Sequence, residues 1–153
     1  KEVGFGQVNI GGELAGNISD NGGNLASAAP AWYLIVVTTS VSGGKIIYNV
    51  DFLKPEVWLM GPVTPGAGWA EKEEVPATKD GEFVSPAFAH ASDADAGLRV
   101  YVKVPEFDWW KSEFMVFNKK IVYRGTGGDQ ERVVVSAGQK LYLNFSNDTG
   151  DIK

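Results

Sequence analysis

The sequence predicts an all-β protein: an antiparallel β-sandwich preceded by a small N-terminal β lobe. Three observations predict it. Apolar and polar residues alternate with period two along the legible segments, the runs are short and separated by turn signals, and no window carries a sustained 3.6-residue apolar stripe. At 153 residues the chain can bury one good core and cannot build two large domains. The boundary falls at Leu53-Lys54-Pro55, giving an N-terminal β lobe with one hairpin over residues 1–54 and a C-terminal sandwich over 55–153.

A first strand is predicted around residues 8–10, followed by a Gly-, Asn- and Ala-rich loop over 11–31. Two β-rich runs within residues 32–52 flank Ser42-Gly43-Gly44, a hairpin turn because glycine tolerates positive φ. On the second run Ile46, Tyr48, Val50 and Phe52 share one face, and Asn49 and Asp51 the other. So few strands cannot bury a core, so this lobe is expected to pack on the C-terminal body and unfold with it. Past the boundary, VWLMG (57–61) opens the next strand. Leu98, Val100, Val102 and Val104 alternate with Arg99, Tyr101 and Lys103, a half-buried strand ended by Pro105. Two further hairpins are predicted. Residues 114–117 pair with 121–124 across Asn118-Lys119-Lys120, and 132–136 pair with 140–145 across Ala137-Gly138-Gln139. In the last strand Leu141, Leu143 and Phe145 face inward.

Composition removes several function classes. Fourteen basic against nineteen acidic side chains, with no basic tract, argue against a nucleic-acid partner. No cysteine means no disulfide framework, thiol chemistry or cysteine metal site, and one histidine, His90, cannot build a multi-His zinc centre. His90 lies in AFAHASDADAG without a nucleophile elbow, so a serine triad is not expected. Asp93-Ala94-Asp95 lacks the ligand series and terminal Glu of a calcium loop and reads as a solvated turn. A glycosidase needs two carboxyl groups across the scissile bond, one held protonated; nineteen acidic residues supply pairs such as Asp108 with Glu113, but without specificity. No catalytic residue, cofactor or metal is assigned.

The aromatic residues carry a positive signal. DWWKSEF (108–114) places adjacent tryptophans among Asp108, Lys111 and Glu113, as beside a polar, ring-shaped ligand. Sugar rings present apolar C–H faces edged by hydroxyls, so their sites combine exposed aromatic platforms with planar or charged hydrogen-bonding groups. Trp69, after Pro65-Gly66-Ala67-Gly68 and before Glu71-Lys72-Glu73-Glu74, is one such platform; the competing reading makes it a plug for one end of the sandwich. Neighbours on an extended segment point to opposite sides, which groups Trp110 with Phe114 and makes Trp109 the exposed ring, with Lys111 and Glu113 on its face. Lys111, Tyr123, Arg124, Asp129 and Gln130 are within the same stretch as hydroxyl-bonding groups, whereas Trp32 and Trp58 read as core.

VWLMG, the glycine-rich loop ending in Trp69, DWWKSEF, Tyr123-Arg124-Gly125 and the run from Asp129 to Arg132 leading to SAGQ together resemble the SusE/SusF-type outer-membrane lipoproteins of Bacteroidetes. The resemblance extends from about Tyr33 to the C terminus. It implies an immunoglobulin-like, starch-binding-module-like sandwich that binds starch-like α-glucan or another polysaccharide at the cell surface without cleaving it. An outer-membrane transporter complex is the further partner implied. Carried onto this sequence, it marks Trp69, Trp109, Lys111 and Arg124 as the carbohydrate-binding positions. Members carry several modules and an N-terminal lipidated cysteine, so this cysteine-free chain is expected to be a C-terminal piece with a lipid anchor upstream. Some modules of such proteins act as spacers, which keeps open a structural or protein-interaction sandwich whose tryptophans serve packing.

Overall fold

The computed structural model describes residues 2–70 and 72–153, so Glu71 of the polar run after Trp69 lies outside the described residues. Backbone contacts divide the chain into two units, Lys1–Pro55 and Glu56–Lys153.

In the first unit, β1 (Asn9–Gly11), β2 (Ile18–Asn21), β3 (Asn24–Ser27), β4 (Leu34–Ser42) and β5 (Lys45–Leu53) form a three-stranded sheet in the order β1-β5-β4 and a separate β2-β3 hairpin. The β4-β5 hairpin closes through Gly43 and Gly44, at φ 56° and 74°, the positive angles that a two-residue turn with the right twist demands. β1 pairs with β5 in parallel, a departure from the antiparallel expectation that the long connection between them allows. The segment read as a loop contains the β2-β3 hairpin. Its sequence signal was the pair Gly22-Gly23, at φ 63° and 88°, but β2 reads Ile-Ser-Asp-Asn and has no apolar alternation to mark it as a strand. Val50 and Phe52 are buried, with the Tyr33 ring set edge-on to Phe52 at 6.0 Å, while Ile46 on the same face is exposed. Trp32 is exposed rather than core, in the irregular run before β4.

The second unit holds β6 (Val57–Met60), β7 (Lys72–Val75), β8 (Ala77–Lys79), β9 (Glu82–Val84), β10 (Arg99–Val102), β11 (Glu113–Phe117), β12 (Lys120–Tyr123), β13 (Leu141–Asn144) and β14 (Thr149–Ile152). They pair antiparallel in the order β7-β6-β10-β11-β12-β14-β13-β9-β8. β12 and β14 share one pairing, Lys120 with Thr149, and there the ladder turns from one layer of the sandwich into the other. Val57, Leu59, Val100, Phe114 and Val116 of the first layer meet Phe83, Leu141 and Leu143 of the second in one buried cluster. Phe145 bridges them, edge-on to Phe114 at 5.6 Å and to Phe83 at 5.5 Å. Gly150 at the turning point is required by space, since a Cβ there would lie 2.5 Å from Val116 Cγ2.

Three expectations fail in instructive ways. Residues 132–136 do not form a hairpin with β13, whose two edges are taken by β9 and β14. They run as irregular chain bonded to the segment before β10, through Leu98 N–H to Val133 O (2.8 Å) and Ser92 N–H to Val135 O (3.0 Å). β10 is buried on both faces: Arg99 and Tyr101, expected outward, are buried along with Val100. Trp58, read as core, is half-buried, and its indole N–H donates to Glu56 Oε2 at 3.1 Å.

Candidate functional site

Three structural features converge on what covers that second face of β10. The first is the loop after β6. Val63 and Thr64 at its base are fully buried, and the Thr64 hydroxyl donates to the Gly61 carbonyl at 2.8 Å. A fixed base presents an exposed tip: Trp69 is 51% exposed and plugs nothing. Gly61 sits at φ 83°, and a Cβ there would touch the six-membered ring of Trp69 at 3.4 Å, so glycine serves both the backbone angle and the ring's seat.

The second is DWWKSEF. Trp109–Lys111 form a single 3₁₀ turn rather than extended chain, braced by the Ser112 hydroxyl donating to the Trp109 carbonyl at 3.1 Å. Alternation across a strand therefore does not apply, and both tryptophans line the same depression. Trp110, at 40% exposed, is the more open of the two, and Trp109 is half-buried, which reverses the sequence expectation. Trp109 stacks with Trp69 at 6.3 Å between centroids and 25° between planes, with Tyr101 tilted against it at 6.2 Å. A sugar held between two ring faces needs two van der Waals separations of roughly 3.5–4 Å each. At 6.3 Å the pair has no such room between its rings, so a sugar meets the ring surface that the stacked pair leaves exposed.

The third is a charge network on β10, β11 and the segment that follows β12. Glu113 is 1% exposed; its Oε1 accepts from Arg99 and its Oε2 from Arg124, both at 2.8 Å. Asp129 closes the outer side, with Arg124 at 2.7 Å, Arg132 at 2.6 Å and Arg99 at 3.9 Å. The hydrogen bond from Arg132, aided by the charges of Arg124, Arg132 and Arg99, holds the Asp129 carboxyl below its ordinary range against some desolvation. Two guanidinium planes are thus locked beside indoles, Arg99 5.8 Å from the Trp69 centroid and Arg124 5.4 Å from that of Trp110. The Nε–H of each arginine has no partner among the described residues.

Trp69, Arg99, Trp109, Trp110, Arg124 and Asp129 enclose an open depression of about 470 Å³. Of the residues singled out from sequence, Trp69, Trp109, Arg124 and Asp129 come together there. Lys111 does not line it: its Nζ pairs with Asp108 at 3.2 Å and lies over the rings of Phe107 and Trp110. Tyr123 packs against Phe114, and the Gln130 amide donates to the Val122 carbonyl, so both are outside it. Arg99 and Trp110 were missed. The available signal was opposite charges at Arg99 and Glu113 on two consecutive strands and at Arg124 just past the third, which an antiparallel meander brings side by side. Asp93 accepts from the backbone N–H groups of Asp95 and Ala96, closing its own turn.

Residues 56–151 match the family described as SusF/SusE starch specific CBMs, that is, carbohydrate-binding modules. The chain belongs to the SusF/SusE family. The match falls on the unit that carries the tryptophan depression. The outer membrane protein SusF of Bacteroides thetaiotaomicron is 47% identical over 150 residues, 92% of this chain. The crystal structure of SusF from the same organism aligns with a TM-score of 0.80 at 41% identity over 99% of the chain. The SusF/SusE chain described here spans 29% of the length of the first relative and 34% of the second.

Proposed function

We propose that residues 56–153 are a non-catalytic module that binds starch-like α-glucan at the bacterial cell surface. The carrying observation is the Trp69–Trp109 platform beside two arginines whose orientation is fixed by Glu113 and Asp129. Indole faces take the apolar faces of glucosyl rings, and guanidinium N–H groups donate to their hydroxyls. That three indoles and two arginines line one open depression is in keeping with the starch specificity in the family's description. Guanidinium charges nearly balanced by carboxylates favour a neutral polyhydroxyl ligand over a uronic acid.

A non-enzymatic role is supported by Asp129, the carboxylate that lines the depression. Glycoside cleavage needs one carboxyl group protonated at working pH. The Arg132 hydrogen bond and the neighbouring guanidinium charges hold Asp129 below its ordinary range, the opposite of what a proton-donating carboxyl needs. Placement at the outer membrane, lipid-anchored and beside a transporter, is part of this reading; it is supported by the SusF relative being named an outer membrane protein. Affinity per module is expected to be modest, since each hydroxyl exchanges water for protein with little net gain.

The test is affinity electrophoresis of the chain and of Trp69→Ala and Trp109→Ala in gels containing amylopectin, pullulan, xyloglucan, mannan or no polysaccharide. Retardation is expected in amylopectin and pullulan. Each substitution should weaken it about tenfold, the effect of losing roughly 1.4 kcal/mol of stacking. Equal mobility in every gel would favour a spacer.

A further inference from the structure

A second depression of about 550 Å³ lies on the other side of Trp109, among Trp58, Lys72, Tyr101, Lys103, Phe107 and Trp109. Both volumes fall in the roughly 300–1,000 Å³ range of small-molecule sites. Trp109 is the common wall: Trp69 stacks on it from the first depression, and Tyr101, floor of the second, tilts against it. The far rim is built by a tight turn in which Phe107 N–H reaches the Val104 carbonyl at 3.2 Å. Pro105 and Glu106 occupy its centre, and Glu106 sits at φ 62°, an angle glycine takes without strain and glutamate does not. That strained turn holds Phe107 out at 49% exposed. Trp58 has already given its N–H to Glu56, and Lys103 Nζ lies 5.8 Å from its ring centroid, so it offers the depression ring surface edged by an ammonium group. Such a site, aromatic-walled with Lys72 and Asp108 at its edge, again sets aromatic rings beside charged groups and shares Trp109 with the first.

We infer that this depression is a second glucan subsite, which takes the same chain as it runs past Trp109 and so makes the module select for longer α-glucans. The inference rests on the starch-binding reading of the first depression. Short oligosaccharides fill the Trp69–Trp109 platform, and longer ones also cover Trp58 and Phe107.

The test is isothermal titration calorimetry with maltotriose and maltoheptaose on the unaltered chain, Phe107→Ser, Trp58→Phe and Trp69→Ala. Phe107 is exposed, so its replacement leaves the core intact. The unaltered chain should bind maltoheptaose more tightly than maltotriose. Phe107→Ser should lower maltoheptaose affinity at least threefold and leave maltotriose affinity unchanged, with Trp58→Phe changing it in the same selective way. Trp69→Ala should weaken both ligands. Unchanged maltoheptaose affinity in Phe107→Ser and Trp58→Phe, or equal losses for the two ligands, overturns the subsite and leaves the first depression standing. No binding of either sugar to the unaltered chain removes the starch reading, and the subsite with it.

Discussion

Glu113 sets the polar half of the platform. A carboxylate at 1% exposure costs several kcal/mol to desolvate and persists because two guanidinium groups meet it. Glu113→Gln removes the charge and leaves Arg99, itself nearly buried, without its close carboxylate. The expected loss is about 3–5 kcal/mol of unfolding free energy by urea titration. Asp129 and Glu73 act on stability with opposite signs. The Asp129 carboxyl is lowered from its ordinary 3.8, chiefly by the Arg132 hydrogen bond, so its contribution is complete above that value and is lost as pH falls through the depressed one. Asp129→Asn should therefore flatten the acid limb of a thermal-stability profile. Burial raises the Glu73 carboxyl from 4.5, and its Oε2 has no partner among the described residues. The protonated form is the comfortable one, so its stability is present at low pH and lost as pH rises through the raised value. Glu73→Gln should raise Tm at neutral pH and change it little below about pH 4.

At the scale of elements, the β11-β12 hairpin and the β14 corner impose conflicting demands on side chains. Asn118 and Lys119 carry the two-residue turn at φ 50° and 61°. Asparagine tolerates that region, whereas lysine does so at a cost. Lys119→Gly is expected to stabilise by about 0.5–1 kcal/mol, strain relief being partly offset by a more flexible unfolded chain. An unchanged urea midpoint would show that the turn carries no such strain. Gly150 is the converse, a glycine fixed by space. Gly150→Ala forces a methyl against Val116 and should cost about 1–3 kcal/mol as overpacking. These two substitutions differ in sign although both exchange small and larger residues, one in a turn and one in the adjoining strand, which makes the pair a sharper test than either alone.

For the whole molecule, the distribution of buried apolar side chains decides what folds unaided. The buried cluster that includes Leu59, Phe114 and Leu141 is drawn from residues 57 onward, whereas the described residues of the first unit contribute Val50 and Phe52 as buried apolar groups and leave Ile35 and Val37 exposed. A chain of residues 56–153 should therefore unfold cooperatively and keep its retardation by amylopectin. Residues 1–55 alone should give no cooperative transition. Circular dichroism of the two fragments against temperature checks both statements. A cooperative transition in the short fragment would show that its hairpins suffice.

The sequence by itself determined the all-β class, the family, and the strands whose alternation is clean, such as β5 and β13, because one face of each meets an apolar core and period two records it. It also showed which aromatic residues stand in loops that a core cannot absorb, which is how Trp69 was found. Only the tertiary structure decided what becomes of the other face. Arg99 reads as a solvent residue on β10, yet Glu113 on the neighbouring strand and Arg124 just past the next make it a buried member of the site. Trp109 and Trp110 read as a strand pair until a 3₁₀ turn aims both at one depression. Pairing between strands distant in sequence brings these groups together, and local periodicity carries no record of which strand will be the neighbour.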